Sequence, residues 1–234
     1  MSLSVDQLTK NYGATLAVDH VSFAISKGEV VGFLGPNGAG KSTTMKMIVG
    51  FLQADNGKVT LNGLSHQDDA VAYKKMIGYL PESNALYEDM YVKEYLSFIA
   101  EGHQIENPNN RIKEVIELTG LDLMQLKKIG QLSKGYKQRV GIAGAIMHQP
   151  LLLLLDEPTA GLDPNQLIEI RTLIKSLSAQ SMVLLSTHIL QEVTAICDRV
   201  LVLHQGKLVA DAPMATLLEK HQASLEEIFK ILTH

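Results

Sequence analysis

The chain has 234 residues, 46% of them hydrophobic, enough for one large domain or two small ones with a substantial core. A formal net charge of −4 is not the footprint of a nucleic-acid binder, which needs a basic face, so no nucleic-acid partner is expected. The single cysteine, Cys197, excludes an internal disulfide and suits a reducing, cytosolic compartment. The opening residues, MSLSVDQLTKNYG, lack the basic start and apolar stretch of a secretion signal, and the longest unbroken apolar run, residues 151–155, is too short to span a bilayer. Any service to a membrane is expected from outside the lipid.

In chain order, Leu3, Val5 and Leu8, then Val18, Val21, Phe23 and Ile25, alternate weakly. Further on, Asn56-Gly57 and Asn62-Gly63 bracket Lys58-Val59-Thr60-Leu61. Short alternating pieces with turn dipeptides predict an antiparallel β layer. Between them, residues 30–34 (VVGFL) read as a buried strand and residues 44–50 (TMKMIVG) as a helix. These flank Gly35-Pro36-Asn37-Gly38-Ala39-Gly40-Lys41-Ser42-Thr43, which fits G-x-x-x-x-G-K-[ST], the phosphate-binding loop of nucleoside triphosphatases. Glycines let the backbone curl until several N–H groups point at one phosphate, and the helix start that follows favours an anion. Lys41 can then reach the β- and γ-phosphates, and Ser42 can offer its hydroxyl to Mg²⁺.

Residues 92 to about 149 change texture. Residues 92–100, 111–118 (Ile112, Val115, Ile116, with Leu118 at the margin) and 134–148 (Val140, Ala143, Ile146, Met147) carry helical spacing. They predict a mainly helical insertion closed by Pro150. Within it, Leu132-Ser133-Lys134-Gly135-Tyr136-Lys137-Gln138-Arg139 places Ser133 as an N-cap at a basic helix start, either an anion site or an ordinary solvated cap. Strand texture then returns at 151–155, 182–187, 200–203 and 208–210. Helical stretches at 165–177 and 189–196 lie between these strands, and a hairpin is expected at Gln205-Gly206-Lys207. Apolar strands alternating with helices indicate a parallel sheet covered on both faces. Leu225, Ile228, Phe229 and Leu232 form a final helical stripe, read as packing on the domain.

A triphosphatase also needs a carboxylate for Mg²⁺ and a group to handle the attacking water. Asp156 and Glu157 follow the strand at 151–155, at the kind of strand end where open α/β sheets bind ligands. Asp156 is placed on the metal and Glu157 beside the γ-phosphate as base. His188 follows the strand at 182–187; it is either structural or a donor that senses the γ-phosphate.

The order of these motifs (phosphate loop, LSKGYKQR, LLLLLDEP, AGLD, STH) resembles the ATP-binding subunit of ABC transporters over essentially the whole chain. The wording GFLGPNGAGKSTTMK, IGYLPE, LSKGYKQRVGIA and GLDPNQ is similar to the bacterial multidrug- and gliding-motility-type exporter ATPases, whose membrane subunit is commonly a separate chain. The resemblance implies a single ABC ATPase domain, 1–234. It would have the P-loop NTPase core with a parallel sheet, an N-terminal antiparallel β layer and a helical subdomain at about 83–150. It implies ATP and Mg²⁺ as cofactors, a head-to-tail ATP-sandwich homodimer, a transmembrane permease partner, and a peripheral position on the cytoplasmic face of the membrane. Tyr12 would stack on adenine. Gly35, Asn37, Gly38, Ala39, Gly40, Lys41, Ser42 and Thr43 would cradle phosphate. Ser133, Gly135 and Asp163 would act across the dimer, and His188 would be the switch histidine. Three positions depart from the pattern. Glu82 stands where the family usually has a metal-facing glutamine, Lys134 replaces the first glycine of the LSGGQ signature, where it either assists the triphosphate or faces solvent, and Tyr136 replaces its glutamine. A soluble ABC ATPase not coupled to transport, or a non-hydrolysing nucleotide-binding regulator, are the alternatives.

Overall fold

The computed structural model describes residues 2–233. The N-terminal layer is antiparallel: β1 (Ser2–Tyr12) lies between β2 (Thr15–Ser26) and, later in the chain, β4 (Asn56–Leu61). Its inward residues, Leu3, Val5, Leu8, Val18, Val21 and Ile25, are almost wholly buried. Between β2 and β4 come β3 (Val30–Leu34) and α1 (Lys41–Val49). Then follow α2 (Ala70–Lys75), β5 (Ile77–Leu80), α3 (Val92–Gly102), α4 (Pro108–Leu118), α5 (Lys134–Ile146) and β6 (Leu152–Asp156). The last part alternates α6 (Pro164–Leu177), β7 (Met182–Thr187), α7 (Leu190–Ile196), β8 (Arg199–His204) and β9 (Lys207–Pro213), and ends in α8 (Met214–His221) and α9 (Leu225–Thr233).

The second sheet has the order β5-β6-β7-β3-β8-β9, parallel except for the β8–β9 hairpin. Its central strands are apolar throughout because both faces are covered. Alternate residues serve different cores. Leu153 and Leu155, Val183 and Leu185, with Val30 and Leu34, face the helices α3–α7. Leu152 and Leu154, Met182 and Leu184, with Val31 and Phe33, face α1 and the antiparallel layer. Each fully buried Leu, Val or Phe contributes about 1.5–3 kcal/mol by leaving water, so a one-residue slip of a central strand would exchange the two sets and empty both cores.

The antiparallel layer, the parallel sheet, the hairpin at Gln205-Gly206 and the helical stretch between β5 and β6 follow the sequence expectations. The final stripe packs as expected, with Leu225 and Ile228 buried among residues of the helix-side core. One local reading needs correction. Asn56-Gly57 is not a turn but the start of β4, with Asn56 paired to Thr9. Gly57 has φ +89°, and a Cβ there would lie 2.4 Å from Gln7 O, so the dipeptide serves a bulge against β1. Leu118, marginal in the periodicity, is exposed.

The segment after α5 returns under β5. Leu151 N–H donates to Met76 O at 2.9 Å, and His148 Nε2 donates to Ile77 O at 3.0 Å. The ring of His148 stacks on His103, the C-cap of α3, with centroids 4.0 Å apart. Burial first, then the neighbouring His103, pushes His148 down to about 4 from 6.5, and its Nδ1 is buried without a partner. Between those two pH values the unfolded chain binds a proton that the folded chain refuses, so stability falls as pH falls through this window. His148→Gln keeps a donor for Ile77 O and removes that proton uptake. Urea denaturation at about pH 7 and about pH 5 should show a smaller loss of stability in the variant than in the parent chain.

Candidate functional site

Three neighbouring strands, β6, β7 and β3, run parallel and end at the same level. Asp156 is opposite Ser186, and Leu34 is opposite Thr187. The residues just beyond the three strand ends therefore come together: the glycine-rich loop after β3, Asp156 and Glu157 at the end of β6, and His188 after β7. A cleft of about 360 Å³ opens there, lined by Asn37, Gly38, Gly40, Lys41, Ser42, Thr43, Glu82, Glu157 and His188, with Ala17 from β2.

The loop's shape depends on side chains it lacks. A Cβ on Gly35 would lie 2.4 Å from Leu203 O, and one on Gly40, at φ +105°, would lie 2.4 Å from Ala17 O. The loop is thus pressed against β8 and β2, and Ala39 N–H donates to Pro36 O to close the turn. Gly40 caps α1, and Thr44 Oγ1 donates back to Gly40 O. Lys41 opens the helix but curls back, with Nζ donating to Gly35 O at 2.7 Å and Pro36 O at 3.2 Å. Burial lowers its pKa. The negative neighbours Glu157, Asp156 and Glu82 oppose that shift.

On the opposite wall, Asp156 is buried and accepts a hydrogen bond from Ser186 Oγ at 2.6 Å. Glu157 takes a left-handed backbone, φ +50°, uncommon for a non-glycine residue and costing on the order of 1–2 kcal/mol. Its N–H donates to Ser186 O at 3.0 Å, which ties the turn to β7. Burial raises its carboxyl above the usual range, opposed by the hydrogen bond from His188. His188 Nδ1 donates to Glu157 Oε1 at 2.9 Å, whereas Glu157 Oε2 is buried with no partner. One carboxylate oxygen is thus positioned by the imidazole, and the other is left unpartnered.

The remaining expected residues stand apart from the cleft. Tyr12 is exposed at the end of β1. Ser133 is the N-cap of α5, accepting from Tyr136 N–H at 3.4 Å, and Gly135 packs under Gln166 of α6. Asp163 caps α6, accepting from Asn165 and Gln166 N–H at 3.0 Å. Lys134 lies over Gly161, so the segments around Ser133 and Asp163 form one surface distant in sequence from the glycine-rich loop. Sequence reading missed Thr187 and Glu192. Glu192 resembles any solvated acid in a first helical turn, yet only 1% of it is exposed. No signal along the chain marks it, because its burial is set by how α7 packs on the sheet.

The chain matches the ABC transporter family over residues 18–160 and belongs to that family, as its ATP-binding cassette. Such cassettes are ATPases whose turnover is coupled to transport. The chain is 37% identical over 226 residues to the bacitracin transport ATP-binding protein BcrA of Bacillus licheniformis, covering 96% of this chain and 74% of that protein. Among solved structures it superposes on the ATP-binding subunit of an ABC transporter with a TM-score of 0.90 and 31% identity, all of both chains being covered. It also superposes on the dimeric structure of a bacterial ABC transporter cassette, with a TM-score of 0.81, 25% identity, and 91% and 98% of the two chains covered. Gly35→Ala puts a methyl group into Leu203 O and must shift the loop. A fluorescent ATP analogue should bind at least about tenfold more weakly, while the far-ultraviolet circular dichroism stays that of a folded chain.

Proposed function

We propose that residues 1–234 form one ATPase domain, with the helical stretch 83–150 as a subdomain, and that two copies close head to tail on ATP to drive a separate membrane subunit, as an exporter. The observation that carries this reading is the convergence of Lys41, Glu82, Glu157 and His188 on one cleft at the ends of adjacent parallel strands. The backbone N–H groups of residues 37–43 and Lys41 Nζ receive the phosphates, with Lys41 leaving its loop carbonyls as it does so. Ser42, Asp156 and Glu82 would hold Mg²⁺. Among the described residues there is no group of three or more His, Cys, Asp or Glu side chains that would cage a metal. Bound there, the ion would supply charge neutralisation at the phosphates. Glu157 takes the proton of the attacking water on its unpartnered Oε2 while His188 holds Oε1. The new bond forms at the γ-phosphorus as the β–γ bridge breaks, giving ADP and phosphate.

The paired arrangement is supported by the separation of Ser133, Gly135 and Asp163 from their own cleft, and by the likeness to a dimeric cassette. In a twofold dimer, each copy's signature helix would close the other's nucleotide site. Tyr12, exposed, would stack on the adenine. No helix among the described residues is long and apolar enough to cross a membrane. A separate membrane subunit would supply the transport path, with this chain peripheral on its cytoplasmic face. The export direction draws on the resemblance of the motif wording to exporter-type ATPases.

Three variants test the site. Glu157→Gln removes the base and its charge but keeps the hydrogen-bonding shape. It should bind ATP, accumulate as a dimer on size exclusion with ATP and Mg²⁺, and lose at least about 10²-fold in kcat; undiminished hydrolysis would refute the role of Glu157. Lys41→Ala should abolish measurable turnover, and a chain whose basal phosphate release did not depend on Lys41 would not be an ATPase of this kind. Glu82→Gln removes one of three acids around Lys41. It should leave ATP affinity within about threefold and change the stimulation of ATPase activity by the reconstituted membrane partner; abolished nucleotide binding would overturn the assignment.

A further inference from the structure

His188 poses a positional problem. Its side chain is about half exposed (48%), so no packed wall fixes the ring. Its bond to Glu157 is useful only if the backbone of residues 187–189 is held still, and the helix that follows does not provide this alone: the N-cap of α7, Ile189, has no side-chain capping bond. The hold comes from behind. Thr187, fully buried at the end of β7, donates its hydroxyl proton to Glu192 Oε2 at 2.8 Å. The same hydroxyl oxygen accepts from Ile189 N–H at 3.0 Å. Because a hydroxyl has one proton, committing it to Glu192 turns its lone pairs toward the Ile189 amide. Glu192 N–H also donates to Ile189 O at 3.1 Å. A carboxylate–hydroxyl–amide chain therefore bridges the backbone on both sides of His188.

That a carboxylate performs this task needs a reason. Glu192 is only 1% exposed, and its Oε1 is buried without a partner. A buried, incompletely satisfied carboxylate costs stability, and an apolar residue of the same volume would pack there at lower cost. Its use is better sought in geometry than in stability. We infer that Glu192, acting through Thr187, is a positioning residue for His188, setting where the imidazole meets Glu157. The inference rests on the proposed roles of His188 and Glu157 in hydrolysis. It assigns to Glu192 no contact with nucleotide.

The experiment compares Glu192→Met, which keeps volume and loses the acceptor, with Glu192→Gln, whose amide oxygen can still accept from Thr187. It adds Thr187→Val and Thr187→Ser, which remove and keep the hydroxyl. Two readouts are taken: steady-state ATP hydrolysis, and ¹⁵N-histidine NMR of the nucleotide-free chain, with the His188 signals assigned by their loss in His188→Gln. In Glu192→Met and Thr187→Val, the His188 Nδ1 signal should move toward that of a free imidazole. In both, kcat should fall at least about tenfold while KM for ATP stays within about twofold, because the loop on β3 is untouched. Glu192→Gln and Thr187→Ser should restore both signatures, and the Glu192→Met/Thr187→Val double variant should be no worse than either single change, as expected for members of one chain of bonds. An unmoved His188 signal in Glu192→Met, a Gln variant as impaired as Met, or additive losses would overturn the inference. A moved signal with unchanged kcat would leave the positioning intact and refute the role of His188 in hydrolysis. Should Glu192→Met not fold, the Thr187 pair decides alone.

Discussion

Everything at this site depends on the register of three parallel strands. Asp156 opposite Ser186, and Leu34 opposite Thr187, place the glycine-rich loop, the acidic pair and His188 at one level. No bond between the functional side chains creates that alignment. It is held by wholly buried apolar residues on both faces of β6, β7 and β3, and a slip of one residue would turn each set toward the wrong core. The expensive part of the site is thus supported by the least specific force in the molecule. Its precision comes from having two cores that must be satisfied at once.

On that frame the chemistry is set by deliberate imbalance. Lys41 is one buried cation among Glu157, Asp156 and Glu82, and without nucleotide its ammonium rests on two carbonyls of its own loop. Those bonds satisfy the charge yet are weak enough to exchange for phosphate oxygens. Glu157 adds a left-handed backbone and a buried oxygen with no partner. Strain and unsatisfied polar atoms persist only where the surroundings over-determine them. Here the N–H bond from Glu157 to Ser186 O and the imidazole bond from His188 do so.

Much of this was legible in sequence, for reasons that differ by element. The glycine-rich loop declares itself because its function requires fixed residue types at fixed local spacing, and the buried strands because both faces are apolar. The hairpin at Gln205-Gly206 is local chemistry too. The helices α2 and α8 have no counterpart in the sequence reading. Asn56-Gly57 misled because a glycine needed for a close approach to β1 carries the same signature as one needed for a turn. Glu192 was hidden because burial is a tertiary property. Nothing in its neighbours along the chain shows that α7 folds the acid inward onto Thr187. Glu82 and Lys134 were visible only as departures from a pattern, and their consequences depend on charges and contacts that the fold brings in from elsewhere.

The separation of the signature helix from its own cleft has a physical consequence for how turnover can be controlled. Ser133 caps α5, Asp163 caps α6, and Lys134 lies over Gly161, so these segments share contacts within one surface. Asp163 follows Glu157 by six residues, through a turn in which Ala160 N–H donates to Glu157 O at 3.2 Å and Leu162 N–H donates to Thr159 O at 3.2 Å. A displacement of the surface that would meet a second copy therefore has a short, hydrogen-bonded route to the backbone of Glu157. A subunit alone would hold triphosphate with its loop and Lys41, while the cleft beside Glu157 stays open. Closure against a partner would both exclude water from that cleft and load this turn. In a lower-dielectric site the same charges act more strongly, so hydrolysis would be tied to assembly by electrostatics as well as by geometry.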